Sequence, residues 1–351
     1  MRFISRFINI KGELFSSTFT YGVTAVIKLF SSLILTRLLN PEVYGIVAVL
    51  FSVLFVLELL SDVGTVGLIV RHPRGSEPVF IHTVWTVRLL RGVMNFCALY
   101  YFAPLFAGIY DMPVLTDALR TFSFMFLIKG LESMSFVLAQ RDQRARIGNN
   151  AELATNAVMT IVVIGLAVLL KDHYAFIYGI LLQRLLMTIV SYFYYRDVGV
   201  AFSFDRDALA EQFHFAKFVM PSSMLTIGIS QYDRLILLRL FDLSLLGVYG
   251  VAGNINGQIA GLVMRNCRVV LYPRCAEYFR SNRTTAAVRY YSENARLILV
   301  ITLLPAAVAG FSQSIVNILY DSRYAGAGTI LMAGGLGTVR SEEHTSELQS
   351  L

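Results

Sequence analysis

Charged residues are scarce in this sequence: Asp, Glu, Lys and Arg make up 15% of its 351 residues, whereas 56% are hydrophobic. A soluble chain of this length needs more charge to cover its surface. The mean hydropathy of +0.62 therefore indicates that lipid solvates most of the protein. Cysteine is scarce as well. Because Cys97, Cys267 and Cys275 are odd in number and far apart, a disulfide framework is not expected.

The sequence also lacks the motifs of the common catalytic and cofactor sites. It contains no Gly-x-Ser-x-Gly, no Walker A segment, no His-Glu-x-x-His and no paired-cysteine motif. The histidines that lie in or near the apolar part of the chain do not have the spacing of metal ligands: His72, His82, His173 and His214. We therefore predict no catalytic residue, no metal site and no cofactor, and we expect that the protein is not an enzyme.

Long apolar runs dominate what is present. A helix needs about 20 apolar residues to cross the hydrocarbon core of a bilayer. Runs of that kind lie near 14–39, 43–69, 80–110, 117–139, 149–170, 174–195, 214–241, 243–271 and 294–320, and a tenth begins near Ala325 and ends at Val339. Nothing shows the two-residue alternation of a strand. The sequence predicts an all-α polytopic membrane protein, whose first run is too long for the core of a cleaved signal peptide.

Basic residues are concentrated in alternate connections between these runs. The rich connections contain Arg2, Arg6 and Lys11, then Arg71 and Arg74, then Arg141, Arg144 and Arg146, then Arg196 and Arg206, and finally Arg274, Arg280, Arg283 and Arg289. The intervening connections, which are poor in them, are 40–42, 111–117, 171–173 and 241–242. Since cytoplasmic loops carry the excess of Lys and Arg, this alternation predicts a cytoplasmic N-terminus. It also accounts for the net charge of +7 without nucleic-acid binding.

The chain contains an internal repeat. "LILTRLLNPEVYGIVAV", from Leu33, matches "LILLRLFDLSLLGVYGV", from Leu235, at an offset of 235 − 33 = 202 residues. "GIYDMP" around Asp111 parallels "ILYDSR" around Asp321 at an offset of 321 − 111 = 210 residues. Six helices in each copy would bring both copies into the membrane from the same side. The sequence therefore predicts two parallel six-helix lobes of a 12-helix transporter, with the substrate site between them.

The second copy ends early. We predict an N-terminal lobe at 1–208 and a partial C-terminal lobe at 209–339, which together amount to about nine and a half helices. A half-helix followed by polar residues would leave unsatisfied carbonyls in the hydrocarbon. From Arg340, "RSEEHTSELQS" resembles the translation of a sequencing-library adapter. We therefore expect 340–351 to be a non-native tail.

Four segments carry a resemblance to a known family. They are "LTRLLNPEVYGIVAV", "SDVGTVGLIVRHP" at 61–73, "VLAQRDQRAR" at 137–146 and "QYDRLILLRLFDLSLLGVYGVAG" at 231–253. In this order they resemble the polysaccharide (O-antigen-type) flippases of the multidrug/oligosaccharidyl-lipid/polysaccharide exporter superfamily. The resemblance implies two lobes arranged in a V in a bacterial inner membrane, with helices 1 and 7 bordering the cavity between them.

The same resemblance implies what the protein would transport. A polyprenyl-diphosphate-linked oligosaccharide would pass to the outer leaflet, for O-antigen or exopolysaccharide synthesis. The implied partners are this lipid-linked oligosaccharide, membrane lipid and other membrane proteins of polysaccharide assembly. Two alternatives stay open. A cation-coupled multidrug-type antiporter of the superfamily would need an acidic first-lobe cavity, against which Lys28 argues. A polysaccharide polymerase or ligase would need longer loops than these.

Some charges at bilayer depth are not needed by the repeated fold. An ionisable residue there costs at least ~2.5–3.5 kcal/mol. Asp233 and Arg234 align with serines of the first copy, and Lys28 aligns with Ser230. We predict that Lys28 and Arg234 bind the diphosphate of the substrate. Asp233 is predicted to couple transport to H⁺ or Na⁺, or else to pair with its neighbour Arg234.

Further candidates come with open alternatives. Arg184 either pairs with Glu152 or binds substrate, and Arg265 and Arg268 either dock the diphosphate or anionic lipid or reflect topology alone. Asn254 and Asn256 either bind sugar hydroxyls or join helices.

Two pairs of charges receive a structural interpretation from the sequence. Lys129 and Glu132 are expected to neutralise each other on one helix face. Arg88 and Arg91 are explained by a position at the cytoplasmic end of their helix.

Overall fold

The computed structural model describes residues 2–194, 199–240, 242–266, 272–281 and 307–335, together with Thr285, Val288 and Ser292. For 2–18, 145, 194, 227–240, 259–260, 262–266, 273–274 and 280 it describes only the backbone. Every regular element within these ranges is a helix, which confirms the all-α prediction. Cys97 and Cys275 are free thiols, as expected, and Cys267 lies outside the described residues.

The helices that position the sites discussed below follow one another with short connections. They are α1 (Arg2–Leu38), α2 (Pro41–Leu60), α3 (Thr65–Arg71), α4 (Pro78–Ile109), α5 (Val114–Leu131), α6 (Ser135–Arg141), α7 (Ala145–Leu170), α8 (Tyr174–Tyr194), α9 (Arg206–Leu240), α10 (Leu243–Asn266) and α11 (Tyr272–Arg280). The helices Ser312–Leu319 and 327–335 come last, with the 3₁₀ turn Ser322–Tyr324 between them.

Several of these helices are long and apolar enough to cross a membrane. The segments found among the described residues are Phe19–Leu38, Pro41–Leu60, Pro78–Ile109, Arg146–Leu170 and Tyr174–Phe193, with a sixth if the bent pair α5 and α6 counts as one span. They correspond to the first six predicted runs, so the prediction of a polytopic membrane protein is confirmed. The helices α9 and α10 cover the next two runs only in part, and 294–320 and the tenth run are described in part.

Two of the predicted runs are interrupted rather than continuous, which corrects the sequence prediction. The run 43–69 is divided after Leu60 by a turn that ends at Gly64. This glycine has a φ of +67°, a left-handed conformation that suits a residue without a Cβ. The run 117–139 is divided at Glu132, whose ψ of 134° is extended, and the axes of α5 and α6 differ by 55°.

The repeat seen in the sequence reappears in the helix boundaries. The break between α1 and α2 runs from Leu38 to Pro41, and the break between α9 and α10 runs from Leu240 to Leu243. Both limits differ by the same 202 residues that relate the two sequence segments. This connection therefore has the same helix boundaries in the two copies.

By its internal contacts, the chain divides into two compact units. One consists of Met1–Gly45 and Leu243–Leu351, and the other of Ile46–Asp242. These units record which helices contact each other, and the proposed lobes at 1–208 and 209–339 stay a prediction.

Candidate functional site

The structure describes the side chains of some of the predicted site residues but not of all of them. The side chains of Asp233, Arg234, Arg265 and Arg268 lie outside the described residues, so their roles stay predictions. Lys28 is half-buried on α1.

The two asparagines of α10 make contacts with protein groups. Asn254 is exposed and accepts a hydrogen bond from Gln258 of its own helix at 3.2 Å. Asn256 donates to the carbonyl oxygen of Leu331 at 3.5 Å. The Asn256 contact joins two helices, while a role in sugar binding stays a prediction for both asparagines.

A cluster of charged side chains that the sequence explained by packing and topology occupies the unit Ile46–Asp242. The helix α4 lies at the centre of this cluster and provides Arg88 and Arg91. At a rise of 1.5 Å per residue, they lie roughly 15 and 20 Å along the helix axis from Pro78. Both lie in the first half of this 32-residue helix, counted from the connection predicted to be cytoplasmic, and their position at its cytoplasmic end stays a prediction. Both point their guanidinium groups at helix interruptions.

Arg91 and Asn95 contact the interruption between α2 and α3. The Nη1 atom of Arg91 donates to Asp62 Oδ1 and to the carbonyl oxygen of Ser61, both at 3.4 Å. Asn95 Nδ2 donates to Ser61 Oγ at 2.7 Å. Asp62 also accepts from the backbone N–H of Gly64 at 2.9 Å. These bonds satisfy polar groups of the turn that follows the candidate span Pro41–Leu60.

Arg88 contacts the other interruption, between α5 and α6. Its Nη2 atom forms an ion pair with Glu132 Oε2, and the two side chains are only 10% and 15% exposed. Its Nη1 atom lies 3.7 Å from the sulfur of Met134. One helix, α4, therefore provides a cation to each of the two interruptions.

Lys129 forms its ion pair with Glu58 of α2, whereas Glu132, the predicted partner, attracts it only over a longer distance. The prediction assumed a continuous helix, in which residues three apart share a face. Because α5 ends at Leu131, Glu132 leaves that helical register and meets Arg88 instead. The ion pairs of the cluster thus join α2, α4 and α5 across helices.

Side chains of α8 support the end of α5. Thr188 donates to the carbonyl oxygen of Ile128 at 3.1 Å, and the Tyr192 hydroxyl donates to the carbonyl oxygen of Leu131. The last turn of a helix has carbonyls without an internal partner. These two contacts satisfy such carbonyls at the end of α5.

Three buried serines complete the interruption. The backbone N–H of Ser133 donates to Ser191 Oγ at 3.0 Å, and Ser133 Oγ donates to the carbonyl oxygen of Ser191 at 2.9 Å. The hydroxyl of Ser135 also donates to that carbonyl. The interruption between α5 and α6 is therefore held by specific polar contacts with α8.

Small residues bring α4 and α5 close together beside the cluster. A Cβ atom at Gly92 would lie 2.7 Å from the carbonyl oxygen of Phe126 and 3.1 Å from the Cα atom of Gly130. Small residues at helix contacts in membranes allow backbones to approach in this way. The close approach fixes the guanidinium groups of α4 relative to Lys129 and Glu132.

The cluster lines a small cleft. Its polar lining consists of Glu58, Arg88, Arg91, Asn95 and Lys129, and its cavity volume is about 10 Å³. A cavity of this size holds about one water molecule, far less than a typical ligand pocket. In this structure the cleft therefore has room for neither a diphosphate nor an oligosaccharide.

Arg184 of α8 adds a fourth base to this cluster. It lies close enough to Lys129 for the two cations to repel each other. Within the part of the chain that the structure describes, no hydrogen bond or ion pair joins Arg184 to Glu152, which was one of its two predicted roles. Four bases (Arg88, Arg91, Lys129 and Arg184) face three acids (Glu58, Asp62 and Glu132), which leaves a net positive charge.

A second polar network anchors the end of α3 outside the candidate spans. The buried Arg141 donates to backbone carbonyls of 69–73, including that of His72 at 2.7 Å. The Nε2 atom of His72 lies 3.1 Å from a carboxylate oxygen of Glu211, and its Nδ1 atom accepts from the backbone N–H of Arg74. Burial lowers the pKa of His72 from its ordinary 6.5, and this outweighs the opposing effect of Glu211.

Among the described residues, no group of three His, Cys, Asp or Glu side chains is placed to hold a metal ion. The signals for the charged cluster were present in the sequence but weak. "SDVG" at 61–64 and "GLESMS" at 130–135 place polar residues and glycine inside apolar runs. Hydropathy averages over such short segments, and the pairing of the charges depends on how neighbouring helices are aligned.

Comparisons with known proteins agree with this architecture. A family described as "Polysaccharide biosynthesis protein" matches residues 34–328. The chain is also 23% identical over 199 residues to "Teichuronic acid biosynthesis protein TuaB" of Bacillus subtilis (strain 168). That alignment covers 56% of this chain and 40% of the relative, so the chain matches less than half of the relative's length. Since the family match extends over most of a chain with several apolar membrane-spanning helices, the protein belongs to the polysaccharide biosynthesis protein family.

Proposed function

We propose that the protein belongs to an exporter that moves a polyprenyl-diphosphate-linked oligosaccharide across the bacterial inner membrane, with its N-terminus in the cytoplasm. Family membership supports a role in polysaccharide biosynthesis. The observation that carries the transport proposal is the meeting of two interrupted helices at the cations of α4. Discontinuous helices are typical of substrate sites in secondary transporters. The interruption at Glu132 divides a candidate span, whereas the turn at 61–64 follows the complete candidate span Pro41–Leu60.

The charge of the cluster favours an anionic group. Each of Glu58, Asp62 and Glu132 is paired with a base, and Arg184 adds a further positive charge. A diphosphate carries several oxygens that accept charge-assisted hydrogen bonds from Arg and Lys. The cleft is too small for a diphosphate in this structure, so binding of this group requires the helices around the cluster to separate.

The antiporter alternative has less support from this cluster. An organic cation needs an acid that is available to it, whereas these three acids already neutralise neighbouring bases. We therefore retain the exporter of a lipid-linked precursor for surface polysaccharide, whether O-antigen or exopolysaccharide.

Lipid binding tests the proposal directly. The purified chain in lipid nanodiscs is titrated with a polyprenyl diphosphate, the corresponding monophosphate and the neutral polyprenol, and bound lipid is measured by native mass spectrometry. We expect the diphosphate to bind most tightly. Arg184→Gln should weaken its binding about tenfold, because one charge-assisted hydrogen bond contributes about 1.4 kcal/mol or more. Lys28→Ala and Arg234→Ala test the two cations predicted from the sequence in the same way.

Arg120→Gln is the matched control. Arg120 lies on α5 and pairs with the exposed Asp117 three residues before it, so its loss should leave lipid binding unchanged. Equal binding of diphosphate and polyprenol, or equal losses for Arg184→Gln and Arg120→Gln, would contradict the proposed site.

A further inference from the structure

Two glycines related by the internal repeat make reciprocal contacts within the unit formed by Met1–Gly45 and Leu243–Leu351. A Cβ atom at Gly45 would overlap the carbonyl oxygen of Leu243 and lie 3.2 Å from its Cα atom. A Cβ atom at Gly247 would overlap the carbonyl oxygen of Pro41 and lie 3.2 Å from the backbone nitrogen of Gly45. Backbone atoms cannot move aside as a flexible side chain can, so both positions require glycine.

The reciprocity follows the repeat. Gly247 is Gly45 shifted by 202 residues, and Leu243 is Pro41 shifted by the same number. The glycine in the first turn of α2 thus packs on the start of α10, and the equivalent glycine of α10 packs on the start of α2 in the same way. A local twofold axis therefore passes between these two helix starts.

Side chains from the second copy reinforce the contact. Arg323 donates to the carbonyl oxygen of Thr36, at the end of α1, at 3.1 Å and to Asn40 Oδ1 at 3.3 Å. Asp321 holds that guanidinium at 3.1 Å. Deeper along α1, the hydroxyls of Ser32 and Tyr320 lie 3.2 Å apart. The connection between α1 and α2 is thus held both by backbone packing and by a side-chain strap.

We propose that this contact, made by Pro41, Gly45, Leu243 and Gly247 and strapped by Arg323, is a gate that closes the outer end of the transport path. The inference rests on the proposed transport function. In a transporter built of two parallel repeats, the path lies between the copies, along the axis that relates them. The connections 40–42 and 241–242 are those that the distribution of Lys and Arg places outside. In this structure the gate is closed, and release of a substrate to the outer leaflet requires the two helix starts to separate.

Thiol accessibility tests the gate without any substrate. In full-length chain with Cys97, Cys267 and Cys275 changed to Ser, Ser32→Cys places a thiol at a site that is 5% exposed. A membrane-impermeant maleimide is applied to spheroplasts and, separately, to inside-out vesicles. With the gate intact we expect labelling from outside at least tenfold slower than at the exposed reference Glu42→Cys. Gly247→Ala should raise the labelling of Ser32→Cys from outside about tenfold.

Gly257→Ala is the matched control on the same helix, because no atom lies within 4 Å of a Cβ there. It should leave Ser32→Cys protected. Arg323→Ala is the second variant, since it adds no bulk that could prevent folding, and it should raise labelling to a smaller extent.

Three results for Ser32→Cys would overturn the gate. They are equal labelling in all variants, protection in both Gly247→Ala and Arg323→Ala, and labelling from the cytoplasmic face alone. None of these outcomes depends on lipid binding. Failure of the gate is therefore distinguishable from failure of the proposed substrate.

Discussion

At the scale of single residues, the pairing of Arg88 with Glu132 determines what each charge costs inside the bilayer. Both side chains are nearly enclosed, so removal of one partner leaves the other as an uncompensated charge. Breaking such a buried pair costs about 3–5 kcal/mol in soluble proteins, whereas replacing both partners is often close to neutral.

We therefore predict that Arg88→Met lowers the thermal stability of the detergent-purified protein strongly, and that Arg88→Met with Glu132→Gln recovers most of the loss. A double-mutant cycle of melting temperatures measures the coupling. The comparison pair is Arg120→Met and Asp117→Asn, which are more exposed and should couple by less than about 1 kcal/mol. Equal coupling in the two cycles would mean that Arg88 and Glu132 are solvated in the membrane protein.

His72 gives a second prediction at this scale, on pH. Its pKa in the folded chain lies below 6.5 because of burial, assisted by the nearby Arg74, Arg141 and Arg71 and opposed by Glu211. As pH falls through 6.5 the unfolded chain takes up the proton first, so stability present above pH 6.5 is lost on acidification.

The variant His72→Asn keeps an acceptor near the backbone N–H of Arg74 and cannot titrate. Its melting temperature should fall less between pH 7.5 and pH 5.5 than that of the parent protein. Carboxylates titrate alike in both proteins, so the difference between the two curves reports His72. A parent curve no steeper than that of His72→Asn would show that this histidine is not held neutral.

At the scale of helices, the close approach of α4 and α5 depends on Gly92. A methyl group there would meet the backbone of Phe126 and Gly130, which cannot retreat without separating the helices. We expect Gly92→Ala to destabilise the protein by about 1–3 kcal/mol. Gly108→Ala, on the same helix with no atom within 4 Å, should be neutral or slightly stabilising. Melting temperatures of the two variants check this, and equal values would argue against the close approach.

The interruption between α5 and α6 gives the next prediction. Ser191→Ala removes the acceptor of the buried Ser133 N–H, which should cost about 1–3 kcal/mol. Ser52→Ala also removes a buried hydroxyl, but that hydroxyl only adds a bond to the carbonyl of Ala48 within its own helix. Hydrogen exchange of backbone amides at 131–135 should increase in Ser191→Ala and stay unchanged in Ser52→Ala.

Helices and their order could be predicted from the sequence, because a span needs little more than a long apolar segment. The interruptions at Gly64 and Glu132 could not, since a few polar residues hardly change the hydropathy of a run. The partners of Arg88, Arg91 and Lys129 were missed for a related reason. Their pairing depends on how far α2, α4 and α5 are shifted along one another. Packing between the helices determines this shift, and no local sequence pattern indicates it.

At the scale of the whole molecule, the alternation of basic and non-basic connections predicts which side each loop occupies. In the variant lacking native cysteines, Asp117→Cys should react with an impermeant maleimide in spheroplasts, and Arg144→Cys only in inside-out vesicles. Asp117 is exposed near the start of α5, and Arg144 is exposed just before α7. The opposite pattern of labelling would invert the proposed orientation and place the gate at the cytoplasmic side.

The reciprocal contact of Gly45 and Gly247 has the form of a homodimer interface, in which one patch meets its own copy about a twofold axis. In a single-repeat ancestor, one glycine codon would have supplied both sides of that interface, and any mutation would have altered both at once. Fusion of the two copies into one chain separated them. Each glycine now varies independently. The second copy has Arg323 where the first has Pro113, so one half of the interface has a side-chain contact that the other half lacks.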